Sequence, residues 1–201
     1  MANFDTLAAR GAAIFLRYDQ AEMIRRFGLQ ADEEKIYVNF IGERLQLDRA
    51  GGAVTGADGR AAGPAATLTV YDMLCRDTPP CGLAGSWRTT NMLPGAGQSN
   101  PDDTKLHRGW AQRLERNPEA LRRAGAKLGG EPFPIGDAAF VLPVFDWFPV
   151  VFQLWCGDEE FPPSMRFLWD ANALRYLRYE TLYYVMGEVL ERLARAMEEP
   201  V

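Results

Sequence analysis

Residues 171–197 contain no proline and a single glycine, Gly187. That stretch constrains the fold more than any other, because an unbroken run of this length and periodicity reads as helix. Advancing about 100° per residue places Leu182, Met186, Val189, Leu190, Leu193 and Met197 on one side and Glu180, Glu191, Arg195 and Glu198 on the other. The pattern predicts one long amphipathic helix, N-capped by Asp170, whose apolar stripe is buried against a body made by the rest of the chain. Tyr176, Tyr179, Tyr183 and Tyr184 fall on the same segment, mostly at the border of the stripe, where rings form either a core rim or the wall of a ligand pocket or partner groove.

The body starts with helices. Asp5 is placed to cap a helix reaching about residue 17, and Asp19 to cap a second over 20–27 that Gly28 closes in the left-handed conformation. The period then changes from helical to alternating. Ile36, Val38 and Phe40, then Leu45 and Leu47, predict two strands joined at 41–43, with a short third strand at 53–55 among glycine turns. Residues 67–76 read as helix and 86–93 as strand. Asn100-Pro101 and Asn117-Pro118 each pair an N-cap with proline at the first helical position, predicting helices over 101–116 and 118–128. Three apolar runs at 138–145, 148–156 and 164–169 predict successive hairpins. The expectation is a single α+β domain over 1–201, with a mixed or antiparallel sheet, N-terminal helices, a central helical pair and the long C-terminal helix.

Charge and composition exclude several partners. Lys and Arg number 22 against 27 Asp and Glu, a net charge of −5, and the isoelectric point lies near 5.0. Nucleic acid needs clustered cations to replace counterions on phosphates, and an anionic membrane surface needs the same, so neither is expected. The most apolar stretch, 140–155, is interrupted by Pro143, Asp146, Pro149 and Gln153 and falls short of the ~20 residues of a membrane helix. The first residues carry no basic region followed by an apolar run, which predicts no secretory signal. Cys75, Cys81 and Cys156 are an odd, widely spaced set, and a cytoplasmic location is expected.

Familiar chemical signatures are absent: no Walker loop, HExxH, GxSxG or CxxC occurs. The loop Gly95-Ala96-Gly97 precedes a predicted helix, but Asp102 and Asp103 in its first turn would repel a phosphate. The three cysteines with His107, the sole histidine, have the composition of a zinc site without its spacing, so no metal is expected. The acidic run Asp158-Glu159-Glu160 is different. If the three apolar strands pair as hairpins, Asp137 and this run lie at one end of the sheet, where carboxylates can hold a hard cation or share a proton. The plainer reading is a solvated turn whose carboxylates accept backbone N–H groups. A ligand site at Asp137, Asp158, Glu159 and Glu160, walled by Trp87, Arg88 and Trp155, is the candidate these residues define.

Several motifs recur together in order. Gly85-Ser86-Trp87-Arg88, Leu93-Pro94-Gly95, Leu128-Gly129-Gly130, Gly136-Asp137-Ala138, the 157–163 segment Gly-Asp-Glu-Glu-Phe-Pro-Pro, Phe167-Leu168-Trp169-Asp170, and Tyr176-Leu177 with Glu180 resemble the motifs of a bacterial and archaeal domain-of-unknown-function family, number 3786. The resemblance runs from about Ile36 onward. Thr90-Asn91-Met92-Leu93-Pro94 departs from the family's Phe-x-Glu-Leu-Pro, so no role of that glutamate carries over. The resemblance implies a setting in anaerobes; longer relatives add a cysteine-rich iron-sulfur module like that of corrinoid-linked proteins, which is missing here. The expectation is a small-molecule-binding, cofactor-binding or accessory domain in anaerobic metabolism. The alternatives are a carboxylate-based acid-base or metal-assisted enzyme, and an interaction protein that binds a protein partner or its own copy.

Overall fold

A computed structural model describes residues 2–76, 82–96 and 109–198. Two N-terminal helices, α1 (Ala2–Phe15) and α2 (Gln20–Phe27), open the chain. Asp19 caps α2 as predicted, accepting from the N–H groups of Ala21 and Glu22 at 3.0 Å each, and Gly28 ends it at φ 61°. A four-stranded antiparallel sheet follows in sequence order: β1 (Gln30–Ala31), β2 (Lys35–Phe40), β3 (Glu43–Asp48) and β4 (Val54–Gly56). Alternation decides its buried face. Ile36, Val38 and Phe40 of β2 and Leu45 and Leu47 of β3 all point inward.

The two-residue turn between β2 and β3 is Ile41-Gly42, with φ 46° and 74°. Positive φ is costly for a β-branched residue. Ile41 is held there because its side chain is 1% exposed and its N–H donates to the Val144 carbonyl at 3.0 Å. That contact joins the first sheet to the second.

The second sheet has the order β5-β9-β8-β7-β6, antiparallel throughout, with β5 (Trp87–Arg88), β6 (Glu131–Pro132), β7 (Ala138–Phe145), β8 (Phe148–Trp155) and β9 (Ser164–Asp170). The predicted hairpins form, pairing Ala138 with Leu154 and Ser164 with Trp155. In β8 every residue from Val150 to Leu154 is buried, so both faces of this central strand are covered. A contiguous apolar cluster includes side chains from both sheets and from the helices.

The helices around this body are α3 (Pro64–Leu74), α4 (Trp110–Leu114), α5 (Pro118–Lys127), α6 (Ala173–Tyr176) and α7 (Tyr179–Glu198). Asn117 caps α5 by accepting from the Ala120 N–H at 2.9 Å. Gly125 lets α5 lie close on β7, since a Cβ there would stand 2.6 Å from the Phe140 ring. Of the predicted helix over 101–116, the part at 110–114 is seen; Asn100-Pro101, Cys81 and His107 lie outside the described residues.

Four predicted elements are redrawn. Helix α1 already begins at Ala2, so position 5 lies inside the helix instead of capping it, and it ends at Phe15. The 67–76 helix starts earlier, at Pro64, behind Gly63. The 86–93 strand shortens to Trp87–Arg88 and turns into a 3-10 helix at Thr90–Met92, where the Thr89 hydroxyl bonds the Asn91 side chain at 2.7 Å. The single C-terminal helix is two. Asp170 completes β9 instead of capping, and its carboxylate accepts from the N–H groups of Ala84 (2.9 Å), Gly85 (2.8 Å) and Asn172 (2.9 Å). The chain then breaks at Leu177, which is extended at φ −127° and ψ 154°. Beyond the break the stripe behaves as predicted: Leu182, Met186, Val189, Leu190 and Leu193 are fully buried.

Packing of α1 on α3 depends on a missing side chain. A Cβ at Gly11 would collide with Cδ2 of Tyr71, and Tyr71 is pinned, being 6% exposed and donating its hydroxyl to the Gly52 carbonyl at 2.6 Å. Gly11→Ala is expected to lower stability by about 1–2 kcal/mol net, an overpacking cost of up to about 3 kcal/mol outweighing the gain of about 1 kcal/mol in helix propensity. Urea unfolding measures this. In a Tyr71→Leu background the same substitution should cost less than in wild type, and a Gly11→Ala protein as stable as wild type would disprove the close approach.

Candidate functional site

The acidic end of the second sheet is built largely by carboxylates that serve the backbone. Asp137 Oδ2 accepts from the Cys156 N–H at 2.8 Å, and Glu115 reaches from α4's end to accept from the Gly157 N–H at 2.8 Å. Asp158 Oδ1 accepts from the N–H groups of Glu160 (2.9 Å) and Phe161 (2.7 Å), closing a tight turn on itself. Glu159 and Glu160 are exposed. Trp155 is half-buried, with the Arg166 guanidinium 5.5 Å from its ring centroid. Asp137, Trp155 and the 158–160 run thus share one end of the sheet, as the hairpins predict. Trp87 and Arg88 do not join them. They pair with Asp170 and Trp169, which lie six and five residues along β9 from Ser164, or about 17–20 Å at ~3.3 Å per residue. The reason lies in the register of β5, a contact far apart in sequence. Among the described residues no cluster of three or more His, Cys, Asp or Glu side chains is arranged to hold a metal ion.

The two backbone N–H bonds hold the Asp158 carboxyl below its ordinary value of 3.8. A group depressed by folding stabilises the folded form above its unfolded pKa, and that stabilisation is lost as pH falls through the lower folded value. Carbon-13 NMR titration of the Asp158 carboxyl should therefore give a midpoint below 3.8; a midpoint at or above it would show the turn open in solution.

A different place encloses space. Helices α1 and α3 and the start of α7 surround a cleft of about 360 Å³, within the usual size of small-molecule sites. Each wall is one helix face: Leu7, Arg10, Gly11 and Ile14 from α1; Leu68, Tyr71, Asp72 and Cys75 from α3 and its C-cap; and Arg178, Glu180, Thr181 and Tyr184 at the start of α7. The spacings 7/10/11/14 and 68/71/72/75 are those of a single helical stripe. Gly11 keeps α1 close to Tyr71, and the break at Leu177 turns the start of α7 toward the cleft.

Asp72 is the unusual wall. Its side chain is 6% exposed. Oδ2 accepts the Arg178 N–H at 2.7 Å, but Oδ1 has no hydrogen bond, and the Arg178 Nε stands 3.4 Å from it. Burial, and then the charge of Asp72, push the Cys75 thiol up to about 12; burial pushes the Tyr71 phenol likewise to about 12, with a further contribution from Cys75. Both groups are neutral at physiological pH, so Cys75 is a poor nucleophile there. Sequence reasoning passed over Asp72. Its signal was available: a carboxylate flanked by Val70, Tyr71, Met73 and Leu74 has to face a partner or a cavity.

Fold and cleft together define an α+β domain with two antiparallel sheets and a helix-walled hollow. The chain belongs to the domain of unknown function family DUF3786, whose family model matches residues 19–192. No curated protein and no solved structure matches it. The matched segment includes Asp72, Cys75 and Arg178 but not α1, so one wall of the cleft lies outside it. Among the described residues, no helix is long and apolar enough to cross a membrane.

Proposed function

We propose that this chain is a small-molecule-binding domain whose ligand occupies the cleft between α1, α3 and the start of α7. One observation carries the reading: a hollow of about 360 Å³ is lined by Asp72, whose buried Oδ1 has no hydrogen bond and only the Arg178 Nε, 3.4 Å away, for company. Buried polar atoms left in that state cost about 1–3 kcal/mol, and a bound donor recovers part of that cost. The acidic end of the sheet offers a weaker case, since Asp137, Glu115 and Asp158 already accept backbone N–H groups. The accessory role in anaerobic metabolism is the setting implied by the family resemblance.

Native mass spectrometry of protein purified from its own source tests the reading, together with Leu68→Trp, which places an indole in the cleft. The wild type should carry a non-covalent mass, or gain thermal stability from a metabolite panel, and the folded Leu68→Trp protein should do neither. A bound mass that persists in Leu68→Trp, or a wild type that carries nothing and responds to nothing, overturns it.

A further inference from the structure

Resting on that reading, we infer the ligand's chemical class: an alkylammonium, a protonated amine on an apolar body, which replaces the Arg178 side chain as the counter-ion of Asp72. Three observations lead there. First, the buried charge of the cleft is negative. Asp72 is 6% exposed, whereas the Arg178 side chain beside it is 69% exposed. Second, the two oxygens of Asp72 differ. Oδ2 is engaged by the Arg178 N–H, which fixes the carboxylate, while Oδ1 receives no hydrogen bond even though Nε of Arg178 is 3.4 Å away. The guanidinium therefore neutralises Asp72 without satisfying it. Its head is mostly solvated and swings outward with little loss of packing, so a smaller cation can take its place.

Third, the remaining walls match a short apolar amine. Leu7, Ile14 and Leu68 supply apolar surface, the thiol of Cys75 adds no charge, and the two other charged walls, Arg10 and Glu180, are exposed and opposite in sign. An anionic ligand would meet the Asp72 carboxylate in a poorly solvated space, where like charges repel strongly. A neutral alcohol could donate to Oδ1, but a charge-assisted bond is roughly twice as strong as a neutral one. An ammonium also carries three donors on a compact head, a better fit than a planar guanidinium for one free oxygen.

The test compares 2-phenylethylammonium with its neutral analogue 2-phenylethanol by calorimetric titration at pH 7 and low salt. Wild type should prefer the amine by at least about tenfold. Asp72→Asn should abolish the preference, and Arg178→Met should tighten amine binding severalfold with alcohol binding unchanged. Equal binding of both probes, with both lost in Leu68→Trp, would overturn the ammonium assignment and leave the cleft as a binding site. Binding of neither probe to wild type or to Arg178→Met would also overturn the assignment; the cleft reading would then be judged by its own mass-spectrometric test. A preference that survives Asp72→Asn overturns the role of Asp72. Should Asp72→Asn fail to fold, Arg178→Met still decides, because amine affinity that is unchanged or weaker there contradicts displacement.

Discussion

Arg192→Met is expected to destabilise the protein by about 3 kcal/mol or more, although the substitution keeps most of the side chain's apolar length. Arg192 is 10% exposed on α7 and serves four acceptors at once. Its guanidinium donates to the carbonyls of Phe40 (3.1 Å) and Ile41 (3.3 Å) and pairs with Glu43 (2.8 Å) and Glu188 (3.2 Å). Glu188 is 14% exposed and Glu43 44%, so the substitution leaves one carboxylate buried without its cation and two carbonyls short of a donor. Breaking a buried pair from one side costs about 3–5 kcal/mol, and the exposure of Glu43 argues for the lower end. Urea unfolding followed by tryptophan fluorescence gives the number. Arg25→Met is the control: Arg25 is 75% exposed beside Glu22, and such a surface pair contributes little. If the two substitutions cost the same, Arg192 is not the link between α7 and the first sheet.

Asp170→Ala is the second large effect, at about 3 kcal/mol. The carboxylate is 1% exposed and holds three backbone N–H groups, two of them from the segment ahead of β5. Charge-assisted bonds contribute about 1.5–3 kcal/mol each in net terms, but the freed segment reaches water and recovers part of the loss. Asp170→Asn keeps one accepting oxygen and should fall between. Amide exchange separates this from a general loss of stability: the N–H groups of Ala84 and Gly85 should lose protection in Asp170→Ala before the β7–β8 pairs do. Unchanged protection at Ala84 and Gly85 would mean that something else holds the segment.

What the sequence made legible was local. Asp19 with Gly28, and Asn117 with Pro118, mark helix ends through bonds that span three or four residues. The β7–β8–β9 meander follows from apolar runs separated by short turns. What stayed hidden was decided by contacts far apart in the chain. Nothing between Ala171 and Tyr184 interrupts helical spacing, yet Asp72, 106 residues upstream of Arg178, takes its N–H, and β5 pairs with Asp170. The break at Leu177 follows from those two claims on the segment. The cleft was hidden for the same reason. Each of its stripes is readable as a helix face, but which faces meet depends on Gly11 admitting the Tyr71 ring. Even the acidic end was half legible: the hairpins place Asp137 with Asp158, while the distance to Trp87 and Arg88 is set by the pairing of a two-residue strand with Asp170 and Trp169, far along the chain.

The left-handed turn at Ile41 bears on the order in which the chain can acquire structure. A β-branched residue in that conformation costs roughly 1–2 kcal/mol, and the groups that offset it, the Val144 carbonyl and the Arg192 guanidinium, arrive about 100 and 150 residues later in synthesis. The β2–β3 hairpin, contiguous in sequence, is thus closed by the most distant parts of the molecule. A nascent chain emerging through residue 140 would hold both strands without either support of their turn, and the second support arrives only with the last helix.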